Sequence, residues 1–290
     1  MAFDPSRVSF TAKLAAYYRQ FSGIPFAREV AALVQADRAH ADFLAAHKLD
    51  PAQLTFYAPM FEARYESVSA LLRRHGATQV LELASGFSTR GLDLTRSETI
   101  HYVETDLPGV VEEKRRLLDA LRTAHGIPPT PRLELVAADV LDAAAVRGAV
   151  ARLHRDRPLF VLCEGLLLYL TRDEIDRLAR HVRDLLLEFA GGAWITADFT
   201  FASEVRDLPP ERKRLRDAVY GVTDRRLEDS AFEDEAELDA FLRDRGFDVT
   251  VRRQLDEAPE LSSVSALGLS PAPIERLRPR LRLWEARPRR

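Results

Sequence analysis

Cysteine is nearly absent: Cys163 stands alone among 290 residues. A single thiol excludes an intrachain disulfide framework and any metal site built from several cysteines. Its place inside an apolar run marks it as a buried structural thiol. Lysine is scarce as well, confined to Lys13, Lys48, Lys114 and Lys213, so positive charge is carried almost wholly by arginine. The formal net charge of -3 supplies no global field that would favour nucleic acid. Long apolar runs are missing too. Nothing approaches the ~18 residues of a membrane-spanning helix, and no charged segment followed by an apolar one opens the sequence. The seven histidines are scattered, and His40 and His47 lie seven apart on a helical stretch rather than at a metal-ligand spacing. These absences predict a soluble, cytoplasmic protein with no metal, no nucleic-acid partner and no membrane partner. They leave the oligomeric state open.

What is present is concentrated in one stretch. Gln79-Val80-Leu81-Glu82-Leu83 reads as a short apolar strand, and Ala84-Ser85-Gly86-Phe87-Ser88-Thr89 follows as a loop of mostly small residues opening a helix. About twenty residues on, a second strand ends at Glu104-Thr105-Asp106. This is the layout of a nucleotide-binding βαβ unit. Small residues let the backbone approach the ligand, a helix N-terminus offers free N–H groups, and an acid after the second strand accepts from ribose hydroxyls. A dinucleotide fingerprint needs glycine at positions 84, 86 and 89; Ala84 and Thr89 break it, which disfavours a nicotinamide oxidoreductase. Gly86-Phe87-Ser88-Thr89-Arg90 also fails the nucleophile elbow of a serine hydrolase, which requires glycine where Arg90 stands.

The stretch 77–200 alternates strands and helices. Strands are predicted over 79–83, 100–103, 132–137, 159–163 and 193–197, each followed by a helical pattern. The pattern predicts an α/β fold, a Rossmann-like, mostly parallel sheet of seven strands with helices on both faces. Thr171 and Glu174 form a capping box before Ile175, Leu178, Val182, Leu185 and Phe189, which recur at helical spacing. Residues 1–75 read as three helices, one through Phe10, Leu14, Tyr17, Tyr18 and Phe21 that Gly23-Ile24-Pro25 breaks, then about 26–47 and 56–74, forming an N-terminal helical lid on a domain of residues 76–290. The stretch of about 200–230 is a charge-rich helical insertion broken at Pro209-Pro210. A helix over 233–245 precedes two strands, 247–252 and 263–269, expected to close the sheet as an antiparallel pair. The arginine-rich stretch 276–290 reads as a solvated tail, with an acidic partner or a dimer contact as the alternative.

Three of these segments resemble a known family. The loop Leu81 to Gly91 resembles the cofactor loop of class I S-adenosylmethionine-dependent methyltransferases. Tyr102-Val103-Glu104-Thr105-Asp106-Leu107-Pro108 and Cys163-Glu164-Gly165-Leu166-Leu167-Leu168-Tyr169-Leu170 resemble, more narrowly, the leucine carboxyl methyltransferase family, which includes bacterial polyketide O-methyltransferases. The likeness covers residues 9 to about 200, and it departs from the family at Ala84, where glycine is usual.

The resemblance implies S-adenosyl-L-methionine as cofactor and assigns residues to it. Asp106, or alternatively Glu104, accepts the ribose hydroxyls, a task suited to a group that only accepts. Asp139 with Val140 meets the adenine; the other reading of Asp139 is an N-cap. Glu164 faces the methionine ammonium or sulfonium side. Glu82 orders the loop around Ala84 and Gly86, or is a purely structural buried acid. Lys13 and Arg64, on the N-terminal helices, supply cations for the cofactor carboxylate. Tyr169 and Tyr17 are candidates for the acceptor pocket, and Asp198 is the candidate base. The acceptor is then a carboxylate or hydroxyl of a small molecule, with a protein C-terminal carboxylate as the neighbouring alternative. The absence of a convincing base mildly favours a carboxylate or an acceptor that ionises unaided.

Overall fold

The computed structural model describes residues 5–51, 54–206, 208, 210–223 and 226–290, with side chains from residue 10 onward except at 210–212 and 222–223. Seven strands form one sheet: β1 (Gln79–Leu83), β2 (His101–Asp106), β3 (Leu133–Ala137), β4 (Leu159–Cys163), β5 (Gly192–Thr196), β6 (Phe247–Arg253) and β7 (Arg282–Pro288). Their order is β3-β2-β1-β4-β5-β7-β6, and β7 alone runs opposite to the other six. The strand order reverses between β1 and β4, where open α/β sheets form a ligand crevice.

The two faces follow from period-two alternation. Leu81, Leu83, Val161, Cys163 and Trp194 join one apolar layer, while Val80, Phe160, Leu162 and Ile195 join the other. β1, β4 and β5 are buried along their full length, as central parallel strands covered on both faces should be.

The helices run in chain order: α1 (Pro5–Arg19), α2 (Ala27–Leu33), α3 (Ala36–His47), α4 (Tyr57–Arg74), α5 (Arg90–Ser97), α6 (Pro108–His125), α7 (Ala143–Ala149), α8 (Arg172–Leu187), α9 (Ala202–Arg206), α10 (Pro210–Thr223), α11 (Glu235–Asp244), α12 (Gln254–Glu257), α13 (Ser262–Ala266) and α14 (Pro271–Glu275). α7, α8 and α11 cover the first face; α2, α4, α5 and α6 cover the second. The capping box forms as expected: Thr171 accepts from the Glu174 amide, and the Glu174 carboxylate accepts from the Thr171 amide at 2.8 Å. A third cluster joins α1, α3 and α4 to the insertion helix α10 through Leu14, Phe43, Ala58, Leu215 and Ala218. None of the described helices is long and apolar enough to cross a membrane.

Three expectations need correction. The helix expected over 26–47 is two helices, because the chain turns at Gln35 in the left-handed region (φ 55). The segment 263–269 is no strand. It starts with α13, whose first amides and hydroxyls, from Ser262 and Ser263, are all taken by the Glu62 carboxylate of α4. The strand that closes the sheet comes instead from the arginine-rich stretch, where Leu283, Trp284, Glu285 and Ala286 are buried. The helical insertion at 200–230 is occupied by α9 and α10; Pro209 of the expected break lies outside the described residues.

Candidate active site

A cavity of about 350 Å³ opens at the carboxyl ends of β1 to β4. It takes one wall from each strand end: the loop 84–88 after β1, Asp106 and Leu107 at β2, residues 138–141 after β3, and 164–170 after β4. α1 and α4 roof it with Thr11, Ala12, Ala15, Arg19, Phe61 and Arg64.

The loop after β1 turns through two left-handed residues, Ala84 (φ 50) and Gly86 (φ 51). Alanine in this region strains its Cβ, whereas glycine does not. A side chain on Gly86 would also meet the Ala12 Cβ of α1 at 3.6 Å. The turn aims the Gly86 amide at Asp106 Oδ2 (2.7 Å), and the Leu107 amide donates to Oδ1 (2.8 Å). Each carboxylate oxygen thus keeps a lone pair beyond its single amide bond. Burial pushes the Asp106 carboxyl up, and the two amides partly offset this.

At the other end of the cavity, three arginines from three helices converge on Glu164. Arg90, the first residue of α5, is fully buried and gives one N–H to Glu164 Oε2 (2.5 Å) and one to Glu82 Oε1 (2.8 Å). Its Nε donates to Ser69 Oγ (3.1 Å), and its guanidinium lies over the Tyr65 ring at 4.3 Å. Arg19, the last residue of α1, donates to Glu164 Oε1. Arg64 Nε approaches the same oxygen at 3.3 Å, and its Nη1 is 3.6 Å from Asp198. Burial alone would push the Glu164 carboxyl up; the three guanidiniums outweigh it and hold the group well below the usual carboxylate range. Glu82 is closed on its other side by the Tyr102 hydroxyl at 2.6 Å, so it props the loop through Arg90.

Arg64, Glu82, Ala84, Gly86, Asp106, Asp139, Val140, Glu164 and Tyr169 are therefore brought together around one cavity. Asp139 accepts from the Leu141 amide, and it is Asp142 that caps α7. Four candidates lie elsewhere. Lys13 borders a separate surface cavity with Gln35 and Arg116, because its place on α1 turns it away from the stripe Ala12, Ala15 and Arg19. Glu104 is buried beneath the loop, 2.9 Å from Lys114 Nζ, with Gly91 packed against it. Asp198 sits behind the 164–166 turn, where it accepts from the Leu166 amide at 2.8 Å. Tyr17 stacks on His40 with ring centroids 3.5 Å apart.

Arg19 replaces Lys13 as the cation that α1 presents to the cavity. Helical spacing groups Arg19 with Ala15 and Ala12, four and seven positions before it, and the docking of α1 turns that stripe to the cavity. Ser85 and Lys114 gave no comparable sign. Among the described residues no cluster of His, Cys, Asp and Glu has a metal-holding arrangement.

Comparisons with known proteins bear on the family and the fold. The profile of the leucine carboxyl methyltransferase family matches residues 25–183, a little more than half of the chain. A Mycolicibacterium gilvum protein, provisionally named an S-adenosyl-L-methionine-dependent methyltransferase, is 29% identical over 202 residues, 68% of this chain and 61% of that protein. The S-adenosyl-L-methionine-dependent methyltransferase dpfgK of Gibberella zeae is 32% identical over 119 residues, 39% of this chain and 38% of its own. The chain thus spans less than two thirds of the length of these curated relatives. Among solved structures, a protein from Thermobifida fusca YX provisionally named a methyltransferase superposes with a TM-score of 0.53 at 17% identity, over 96% of this chain and 94% of that one, which shows a shared fold. The chain belongs to the leucine carboxyl methyltransferase family of S-adenosyl-L-methionine-dependent methyltransferases.

Proposed function

We propose that the protein transfers a methyl group from S-adenosyl-L-methionine to an oxygen, carboxylate or hydroxyl, of a small molecule such as a polyketide or other secondary metabolite. In this reading residues 1–75 act as a lid on the catalytic domain 76–290, and the protein works in the cytoplasm without a nucleic-acid or membrane partner. One observation carries it: a single cavity holds an acceptor-only carboxylate, Asp106, at one end and the Arg19–Arg64–Glu164 cluster at the other. That donor set fits this cofactor. Asp106 suits two ribose hydroxyls, the guanidinium edges suit a carboxylate, and Glu164 suits an ammonium.

When bound, S-adenosyl-L-methionine supplies an already activated methyl carbon. The residues are then left with binding, alignment and exclusion of water. Phe61, Leu168 and Leu170 give the cavity an apolar wall, and the Tyr169 hydroxyl is hydrogen-bonded to Thr11. Burial pushes the Tyr169 hydroxyl up to about 12, so at neutral pH it donates a hydrogen bond and does not act as a base. Asp198 does not line the cavity: one of its oxygens accepts from the Leu166 amide, and the other lies 3.6 Å from Arg64 Nη1. The acceptor is accordingly one that needs little help to ionise.

Thermal unfolding with S-adenosylhomocysteine, S-adenosylmethionine, NADH and NADPH tests the cofactor. Ligand at ~100 times its dissociation constant adds about 2.7 kcal/mol, a shift of a few degrees. The expected shift comes with the adenosyl compounds only. Transfer of labelled methyl to a panel of small acids and phenols then tests the acceptor; failure across both classes despite tight cofactor binding would sink the O-methyl reading.

A further inference from the structure

Beneath the cofactor loop, Lys114 of α6 is fully buried. Its Nζ lies 2.9 Å from Glu104 Oε2 and 3.0 Å from Ser85 Oγ. Ser85 itself lines the cavity, between the two left-handed residues of the loop. Its backbone is fixed at both ends: its amide donates to the Thr105 carbonyl at 2.9 Å, and its carbonyl accepts from the Ser88 amide at 3.0 Å.

An ammonium has only hydrogens to give. The oxygen of Ser85 therefore accepts from Lys114, and its own hydrogen must point elsewhere. No hydrogen bond from that hydroxyl to a protein acceptor is formed among the described residues. A buried ion pair is more costly to keep than an apolar side chain of similar volume. What Lys114 adds in return is direction: it commits the Ser85 hydroxyl to the donor role on the cavity side.

We propose that Ser85 donates a hydrogen bond to an oxygen of the bound cofactor and that Lys114 is the positioning residue that fixes this polarity. The inference rests on the cofactor proposed above. The receiving oxygen belongs either to the amino-acid carboxylate or to the ribose, and a ligand lacking the amino-acid end tells them apart.

The test is calorimetric titration of wild type, S85A, K114M and the double variant with S-adenosylhomocysteine and with 5′-methylthioadenosine. S85A should weaken S-adenosylhomocysteine about five- to tenfold, beyond any fall in melting temperature caused by the acceptor that buried Lys114 loses. If the carboxylate receives the bond, 5′-methylthioadenosine is unaffected; if the ribose does, both ligands weaken alike. In the K114M background S85A should cost less than about twofold, since the hydroxyl is no longer oriented. Unchanged affinity of S85A for both ligands overturns the contact, and full additivity of the two substitutions overturns the positioning role. Should K114M not fold, K114Q, whose amide can both donate and accept, takes its place in the same cycle. A wild-type protein that binds neither ligand removes the cofactor proposal itself, and this inference with it.

Discussion

Glu104 sits in β2 and Glu164 directly after β4, the two strands that flank β1, and both carboxylates are withdrawn from solvent, with side chains 1% and 3% exposed. Their states diverge. Burial dominates at Glu104, where a single ammonium answers it, and its carboxyl is pushed up to about 7. At Glu164 three guanidiniums from α1, α4 and α5 overcome the same burial and hold the carboxyl low. One ammonium only partly offsets the burial of an acid; three fixed guanidiniums more than offset it. The difference also sorts the two by use. The well-served acid opens on the cavity, and the poorly served one is sealed under the loop.

The comparison can be broken first at Arg90, the fully buried donor shared by Glu82 and Glu164. R90M strands two buried carboxylates and should cost about 3–5 kcal/mol in urea unfolding. A melt like that of wild type would mean that Arg19 and Arg64 alone suffice.

Next come those two partly exposed arginines. R19Q and R64Q should each weaken S-adenosylhomocysteine binding about tenfold or more, as expected for hydrogen bonds to a charged group. Stability should change by less than about 1 kcal/mol, because Arg90 remains. Equal loss of stability and affinity would show instead that they are packing residues.

The two acids should also bend the pH–stability curve in opposite senses. For Glu164 the folded-state value lies below the ordinary 4.5, so its contribution is present above 4.5 and is lost as pH falls below it. For Glu104 the folded-state value lies above 4.5, so the unfolded chain ionises first and stability declines as pH rises from 4.5 to about 7. E164Q should flatten the acid limb and E104Q the limb between 4.5 and 7, in denaturant titrations across that range. A single variant flattening both would merge the two clusters into one.

The smallest effect is expected at the loop joining the clusters. A84G relieves a left-handed alanine but frees the unfolded chain, for a net gain of about 0.5 kcal/mol. A loss of more than 1 kcal/mol would show that the methyl group packs in a way its φ of 50 conceals.

The five parallel strands were legible in the sequence because each is a short apolar run stopped by small or acidic residues. The capping box of α8 was legible because both partners lie within four residues. β7 was not: Arg282-Leu283-Trp284-Glu285-Ala286-Arg287-Pro288 reads as a solvated tail, and what buries Glu285 is its contact with His75, Arg252 and Arg287, two of them distant in the chain. α13 was hidden for the same reason, its first turn being capped by Glu62, two hundred residues earlier. In the site, the acids after strands could be placed from the sequence, since strand ends fix where they emerge. Which cation faces the cavity could not, because Lys13 and Arg19 share a helix and only the docking of that helix separates them.

β7 follows every other strand in the chain, yet it lies inside the sheet, between β5 and β6. While the protein is being made, six strands leave the ribosome before residues 282–288 do. Through that interval β5 presents an open row of amides and carbonyls, and β6 has no partner to pair with. The nascent chain is therefore most exposed to misassociation just before its sheet is complete, and a chaperone that shields strand edges has its window there.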